Sequence, residues 1–249
     1  MAKTIRVATF NVCYCKNPEK TAAQIRDNPN LAQADVILLQ EIEAHESEAY
    51  ERAHVIAQEL KMNFVYAPAR DTKKPGGTHG LAVLTRYPVQ ALEVVPLREF
   101  NLRYHTRRRI AVMAVVDFDG ILVQVCNVHL DLRINVKERI EQVRDVIAKL
   151  NEHPIQKIIM GGDFNTVPLF WAGRILPIFY ARQRHKFNQF LHEQGFQTRL
   201  ADIGYTMNQK MIRFSLDSIY SRGLDANAFG IERDINVSDH KPVWVDFEL

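Results

Sequence analysis

The chain has 249 residues, 47% of them hydrophobic, which supplies a sizeable core and argues against disorder. No apolar run approaches the roughly 20 residues that span a bilayer, and Met1-Ala2-Lys3-Thr4-Ile5-Arg6 runs into a strand-like segment with no charged-then-apolar leader, so the expected location is cytoplasmic. The net charge of +3 permits an anionic substrate without demanding one, and three cysteines, Cys13, Cys15 and Cys126, are too few and odd in number for a disulfide framework.

Ile5 to Val12 is the first apolar run and reads as a strand. The stretch after it is helical in composition but broken at Asp27-Asn28-Pro29-Asn30. Val36 to Leu39 is continuously apolar, reads as a strand buried on both faces, and ends in Gln40-Glu41. Ala49, Ala53, Ile56 and Leu60 then recur on one face of a helix, with Ser47 as its expected cap. Strands are predicted at Asn63 to Ala67, Gly80 to Thr85, Val89 to Leu97, Ile110 to Phe118 and Ile121 to His129. Asp119-Gly120 makes the last two a hairpin. Ile140, Val143, Ile147 and Leu150 stripe the next helix, which Asn135 and Glu138 open as a capping box.

Ile155 to Met160 is another buried strand and ends at Gly161-Gly162-Asp163. A helix over 182–194 follows, then strands at Arg213 to Ser221, Gly230 to Val237 and Pro242 to Phe247. The natural packing is two sheets face to face with helices outside. No linker or charge block divides the chain, so 1–249 is expected to be one domain. Its halves share an outline of strand, helix and buried strand ending in an acid, at Glu41 and at Asp163.

The polar residues that attract attention stand where apolar strands end: Asn11, Glu41, His129 with Asp131, Asp163 with Asn165, and Asp239 with His240. Strand ends from one sheet edge converge on a rim able to surround a substrate. Taken singly, Asn11 reads as a strand-end hydrogen bond and Asp163-Asn165 as a tight turn; five such coincidences together read as a site. Asp131 alone reads better as a cap. Carboxylates with amide oxygens are hard ligands suited to Mg2+ or Mn2+. Zinc is disfavoured, since no HExxH or Cys/His cluster is present, and Cys13 and Cys15 read as buried or half-buried thiols. Without a G-x-S-x-G or a P-loop, the simplest chemistry is attack by an aspartate-activated water, with histidine as acid or charge stabiliser.

Thr9-Phe10-Asn11-Val12, Leu39-Gln40-Glu41, Asn127-Val128-His129-Leu130, Gly161-Gly162-Asp163-Phe164-Asn165 and Ser238-Asp239-His240-Lys241-Pro242-Val243 occur in this order along the chain. Together they resemble the endonuclease/exonuclease/phosphatase superfamily, which includes pancreatic deoxyribonuclease, abasic-site endonucleases, neutral sphingomyelinases, inositol-polyphosphate 5-phosphatases and deadenylases. The resemblance implies a deoxyribonuclease-like four-layered α/β/β/α sandwich of two mixed sheets flanked by helices. It places Asn11, Glu41 and Asp239 at the metal. Asp163 would activate water, Asn165 would hold the phosphate, and His240 would contact it, oriented by Asp217. His129 would protonate the leaving oxygen, and His there rather than Tyr points to the deoxyribonuclease, sphingomyelinase and phosphatase branches. Arg107 and His79 are carried over as substrate contacts, although His79 reads equally well as a surface-loop residue.

Three functions follow. The first is a metal-dependent phosphodiesterase on nucleic acid, with the Arg107-Arg108-Arg109 and Arg182-Arg184-His185-Lys186 clusters gripping phosphate rather than forming solvated faces. The second is a hydrolase of a small or lipid phosphoester, with Phe170, Trp171, Ile175, Leu176, Ile178 and Phe179 as an apolar lip. The third is a non-catalytic binding module, against which the complete polar set argues. The protein is expected to be monomeric.

Overall fold

A computed structural model describes residues 3–101, 107–166, 177–209 and 212–249. In chain order its elements are β1 (Thr4–Tyr14), α1 (Pro18–Asp27), β2 (Val36–His45), α2 (Arg52–Leu60), β3 (Asn63–Asp71), β4 (Gly77–Thr85), β5 (Val89–Pro96), β6 (Ile110–Phe118), β7 (Ile121–His129), α3 (Val136–Leu150), β8 (Ile158–Asp163), α4 (Pro177–Glu193), β9 (Met207–Gln209), β10 (Ile212–Phe214), β11 (Asp217–Arg222), β12 (Asp225–Ile231) and β13 (Val243–Glu248). A six-stranded sheet runs β12-β13-β1-β2-β4-β3 and a five-stranded sheet runs β11-β8-β7-β6-β5. Each contains one parallel pair, β1 with β2 and β7 with β8, among antiparallel neighbours. These are the two strand–helix–strand units visible in the sequence, and their C-terminal ends carry Asn11, Glu41, His129 and Asp163.

Alternation along each strand divides the apolar residues into layers. On β4, Leu81 and Val83 join Val7, Leu38, Val112, Val125 and Ile159 between the sheets. Ala82 and Leu84 face the other way, with Ala22 and Ile25 of α1 and Ala53, Ile56 and Leu60 of α2. The outer face of the second sheet packs on Val143, Ile147 and Leu150 of α3 and on Phe187 and Leu191 of α4. Four layers result, as expected.

Local signals explain most boundaries. Asp119 and Gly120 adopt φ of 58° and 93°, the left-handed pair that a two-residue hairpin turn requires. Asn135 accepts the amides of Lys137 and Glu138 while Glu138 accepts that of Asn135, closing the capping box.

Three expectations are corrected. Ser47 caps nothing: β4 extends β2 as far as His45, so the chain turns over 46–51 and α2 begins at Arg52 without a side-chain cap. The strand expected over Arg213 to Ser221 breaks at Ser215-Leu216, because the amides of Leu216 and Asp217 donate to Thr206 Oγ1 instead of to a neighbouring strand. The strand expected over Gly230 to Val237 is Asp225–Ile231, and the residues after it turn to deliver Asp239 and His240.

One fully buried polar group ties the sheets together. Asn127 on β7 donates to the carbonyls of Leu39 and Ala82 at 2.9 and 2.8 Å and accepts from Gln40 Nε2 at 2.7 Å. Gln40 keeps other acceptors, Thr9 Oγ1 and the Leu38 carbonyl, but the two carbonyls would lose this donor. Asn127→Ala should therefore cost about 3 kcal/mol and lower Tm by about 6–12 °C. A thermal melt showing a fall below about 2 °C would refute the bridge.

Candidate active site

Register alone assembles half of the site. Asp217 stands opposite Asp163 across β11 and β8, and His129 stands opposite Asp163 across β7 and β8, so the three share one row. The other sheet reaches over to meet them. Asn11 Nδ2 donates to Asp163 Oδ2 at 3.0 Å, and Glu41 Oε1 lies 3.8 Å from His129 Nε2. His129 Nε2 is 3.6 Å and His240 Nε2 is 4.0 Å from the same Asp163 oxygen. Three residues from distant parts of the chain thus converge on one carboxylate oxygen, with Glu41 beside them on His129.

Bulges aim the first-sheet residues. The β1–β2 register shifts after Asn11, and the β2–β4 register shifts between Gln40 and Ile42. Glu41 has φ 56°, and Cys13, Tyr14 and Cys15 have φ 45°, 69° and 47°. Non-glycine residues in this region cost on the order of 1 kcal/mol each and persist only where their surroundings hold them. Here the Cys13 amide donates to Asn11 Oδ1 and Arg52 Nη1 donates to the Tyr14 carbonyl. Arg52 is itself gripped by Glu43 and Glu48. Because Cys13 engages Asn11 Oδ1, the Asn11 amide turns its NH2 toward Asp163.

The second-sheet residues are fixed as tightly. The Asn165 amide donates to Asp163 Oδ1, and its side chain donates to the Leu130 carbonyl. Asp131, also buried, accepts the Arg133 amide in a local turn and stays outside the cluster. His240 Nδ1 pairs with Asp217 Oδ2 at 2.8 Å. Ser238 Oγ donates to the Asn11 carbonyl and accepts the His240 amide, so the last loop is stapled to β1. Asp239 accepts weakly from Ser238 at 3.4 Å, and its charge acts on both Cys13 and His240.

The two histidines are set to opposite states. Burial lowers the His129 pKa well below the ordinary value, and Arg109, His79, His240 and Arg70 lower it further. Arg109 Nη1 lies 2.9 Å from His129 Nδ1. A guanidinium has only donors, so Nδ1 must accept and the ring proton sits on Nε2, facing Glu41 and Asp163. For His240, burial acts downward, but the Asp217 carboxylate beside it, with Asp163 and Asp239, raises the pKa to about 10. Asp163 is pushed up to about 7 by burial and then by repulsion from Asp217, with His240 opposing.

The donor set fits a hard cation. Glu41, Asp239 and Asn11 offer oxygen atoms. The nearby Cys13 thiol is pushed up to about 12 by burial and by Asp239 and Glu41, so no thiolate competes. Asp163, Asp217 and His240 also have ligand-type atoms within 4.8 Å of one another, but the Asp217–His240 hydrogen bond already accounts for that closeness.

Of the residues expected from sequence, Asn11, Glu41, His129, Asp163, Asn165, Asp217 and His240 are brought together, with Asp239 beside them. Arg107 is exposed, while Arg109, two residues on, is buried against His129; its cue was its place immediately before the strand. His79 is buried rather than in a surface loop. Ser238 stood in the Ser238-Asp239-His240 stretch without a role of its own, and Thr206 carried no cue. Phe170, Trp171, Ile175 and Leu176 lie outside the described residues, as do the side chains of Ile178 and Phe179.

The sequence model of the Endonuclease/Exonuclease/phosphatase family matches residues 8–240. YbhP of Escherichia coli K12, an uncharacterized protein, is 29% identical over 243 residues, 91% of this chain and 88% of that protein. A UPF0294 protein of Vibrio vulnificus is 29% identical over 135 residues, 53% of this chain and only 41% of the relative's length. Among solved structures, an endonuclease/exonuclease/phosphatase from Beutenbergia cavernae superposes with TM-score 0.78 at 20% identity, over 99% of this chain and 72% of that one. D. rerio TDP2 complexed with a single-strand DNA product superposes with TM-score 0.71 at 17% identity, over 99% of this chain and all of that one.

Proposed function

The chain belongs to the endonuclease/exonuclease/phosphatase family, and from that premise we propose that it is a Mg2+- or Mn2+-dependent phosphodiesterase, most simply a nuclease, working as a single-domain monomer. The observation that carries the reading is the convergence on Asp163: Asn11 Nδ2 at 3.0 Å, His129 Nε2 at 3.6 Å and His240 Nε2 at 4.0 Å from one carboxylate oxygen. Its three free cysteines suit a reducing cytoplasm. No helix among the described residues is long and apolar enough to cross a membrane.

Glu41 and Asp239, with Asn11, would hold the cation, which when bound polarises the phosphate and offsets its charge. Asp163, once deprotonated, takes the proton of the attacking water, and Asn11 and the Asn165 amide hold its two oxygens in place. The imidazolium of His240, held by Asp217, faces the phosphate as a fixed positive charge. His129 presents a neutral Nε2–H. It therefore donates a hydrogen bond to a substrate oxygen, a role better matched to its contacts than the full proton transfer expected from the resemblance.

Cleavage of bis-p-nitrophenyl phosphate with Mg2+ or Mn2+ tests the reading. EDTA should abolish it, and His240→Ala should slow it at least about 10²-fold. No turnover with any divalent metal would leave a binding module. Nucleic acid, mononucleotide, sphingomyelin and inositol phosphates should then be compared over a range of salt. A steep salt dependence supports a polyanionic strand, and activity confined to dispersed lipid would sink the nuclease assignment.

A further inference from the structure

The break in pairing that aims Asn11 and Glu41 is closed from outside the sheet. β1 and β2 pair at Asn11 with Gln40 and next at Tyr14 with Ile42, so β1 places Val12 and Cys13 where β2 places Glu41 alone. On the other side of β2, β4 passes from Leu81 to Gly80 with nothing opposite Glu41. The ladder therefore fixes Glu41 from neither flank. The backbone here also adopts conformations that L-residues avoid. Of the seven non-glycine residues with positive φ among the described residues, Cys13, Tyr14, Cys15 and Glu41 lie in this one place. Such conformations persist only where the surroundings impose them.

Arg52, the first residue of α2, is the side chain that reaches the bulge. Its Nη1 donates to the Tyr14 carbonyl at 2.6 Å and to Glu43 Oε2 at 3.2 Å. Tyr14 follows Asn11 by three residues on β1, and Glu43 follows Glu41 by two on β2. One guanidinium nitrogen thus joins both strands just beyond the bulge, as the Asn11–Gln40 pair joins them just before it. The rest of the fork engages Glu48, which accepts from Nη2 at 2.6 Å and from Nε at 3.1 Å. Arg52 is 8% exposed. Each of its side-chain nitrogens has a partner and two carboxylates balance its charge, so nothing is left over for a substrate.

We infer that Arg52 is a positioning residue for the cation site: by bridging Tyr14 and Glu43 it sets the spacing of Asn11 and Glu41, and with it how tightly a divalent cation binds. This rests on the metal-dependent reading and deepens it. Mg2+ takes oxygen ligands only near octahedral positions at about 2.0–2.1 Å. A bulge free to relax offers the same oxygens but must be ordered anew at each binding event, which weakens binding. Groups that orient metal ligands are worth about 10- to 100-fold in affinity.

The probe is Mn2+ alone. Electron paramagnetic resonance of the free ion gives the dissociation constant with no substrate present. The double variant Arg52→Gln/Glu48→Gln removes the clamp without leaving Glu48 unpaired, and should bind Mn2+ about 10- to 100-fold more weakly than the wild type. Arg52→Lys keeps the charge without the fork and should fall between the two. Arg6→Gln is the control. Arg6 makes a similarly buried two-pronged pair with Asp246 near the start of β1, and its loss should leave the affinity where the wild type has it. Circular dichroism checks that each variant is folded. Should the double variant not fold, Arg52→Lys decides alone, weaker binding supporting the clamp and wild-type binding overturning it. Wild-type affinity in the folded double variant, or equal weakening in Arg6→Gln, overturns it as well. The two readings fail separately. A wild type that takes up no Mn2+ removes the metal-dependent reading and the clamp with it, whereas a wild type that binds Mn2+ no better than the double variant removes the clamp alone.

Discussion

Asp163→Asn is expected to lower kcat by about 10²–10⁴-fold while leaving the metal-free protein as stable as the wild type, or more stable, at neutral to alkaline pH. The two effects share a cause. Asp163 is 2% exposed and opposite Asp217 in the sheet; burial, then Asp217, then Glu41 against the opposing pull of His240, push its pKa up from 3.8 to about 7. A raised folded-state pKa means that the protein is most stable with the group protonated. That stability is present below about pH 4 and is lost as pH rises toward 7. The amide cannot ionise, so it escapes this loss, which is of several kcal/mol. In exchange it gives up one of two accepted hydrogen bonds, from Asn11 or from the Asn165 amide, at about 1 kcal/mol. In EDTA the variant's Tm should therefore start slightly below that of the wild type at pH 4 and rise relative to it through pH 7. A constant difference across that window would mean that the carboxyl is not strained, and the case for it as a water-activating base would weaken with it. A functional carboxylate that costs stability is the usual trade at an active site.

Much of this arrangement was legible in the sequence because it is written in local pattern. Continuous apolar runs such as Val36 to Leu39 and Ile158 to Met160 specify strands buried on both faces, and the polar residues that end them must then lie on a rim. The Asn135/Glu138 box and the Asp119-Gly120 turn need only their own neighbours. The misread parts depend on distant partners. Nothing local distinguishes Ser47 as a cap from Ser47 in a turn, since the answer is how far β4 holds β2. Nothing near Leu216 announces that Thr206 will take its amide. Arg109 was obscured by its own company: three consecutive arginines look alike in sequence, and it is the one immediately before β6 that turns inward to His129. His79 had the same ambiguity, settled by its pairing with Arg70 on an edge strand some residues away.

The Gly161-Gly162 pair before Asp163 invites a chemical reading, yet its role is spatial, and Gly162→Ala should be among the most damaging single-methyl changes at the described glycines. Gly162 has φ 151°, and a Cβ there would lie 1.9 Å from the Val128 carbonyl oxygen and 2.8 Å from its carbon. Those atoms belong to the backbone of β7, which is paired on one side with β6 and on the other with β8 itself, so neither strand can step aside cheaply. The cost should exceed about 4 kcal/mol, seen as insoluble protein or a Tm lower by more than about 10 °C. Gly161→Ala is the contrasting case. Its added methyl would meet Leu38 Cδ1 at 2.8 Å, the far end of a side chain in the core between the sheets, which repacking can accommodate at about 1–3 kcal/mol. Should Gly162→Ala melt no lower than Gly161→Ala, the close approach of β7 to β8 would be wrong. That approach is what sets His129 opposite Asp163, so any surviving fraction of Gly162→Ala should lose activity beyond what its stability explains.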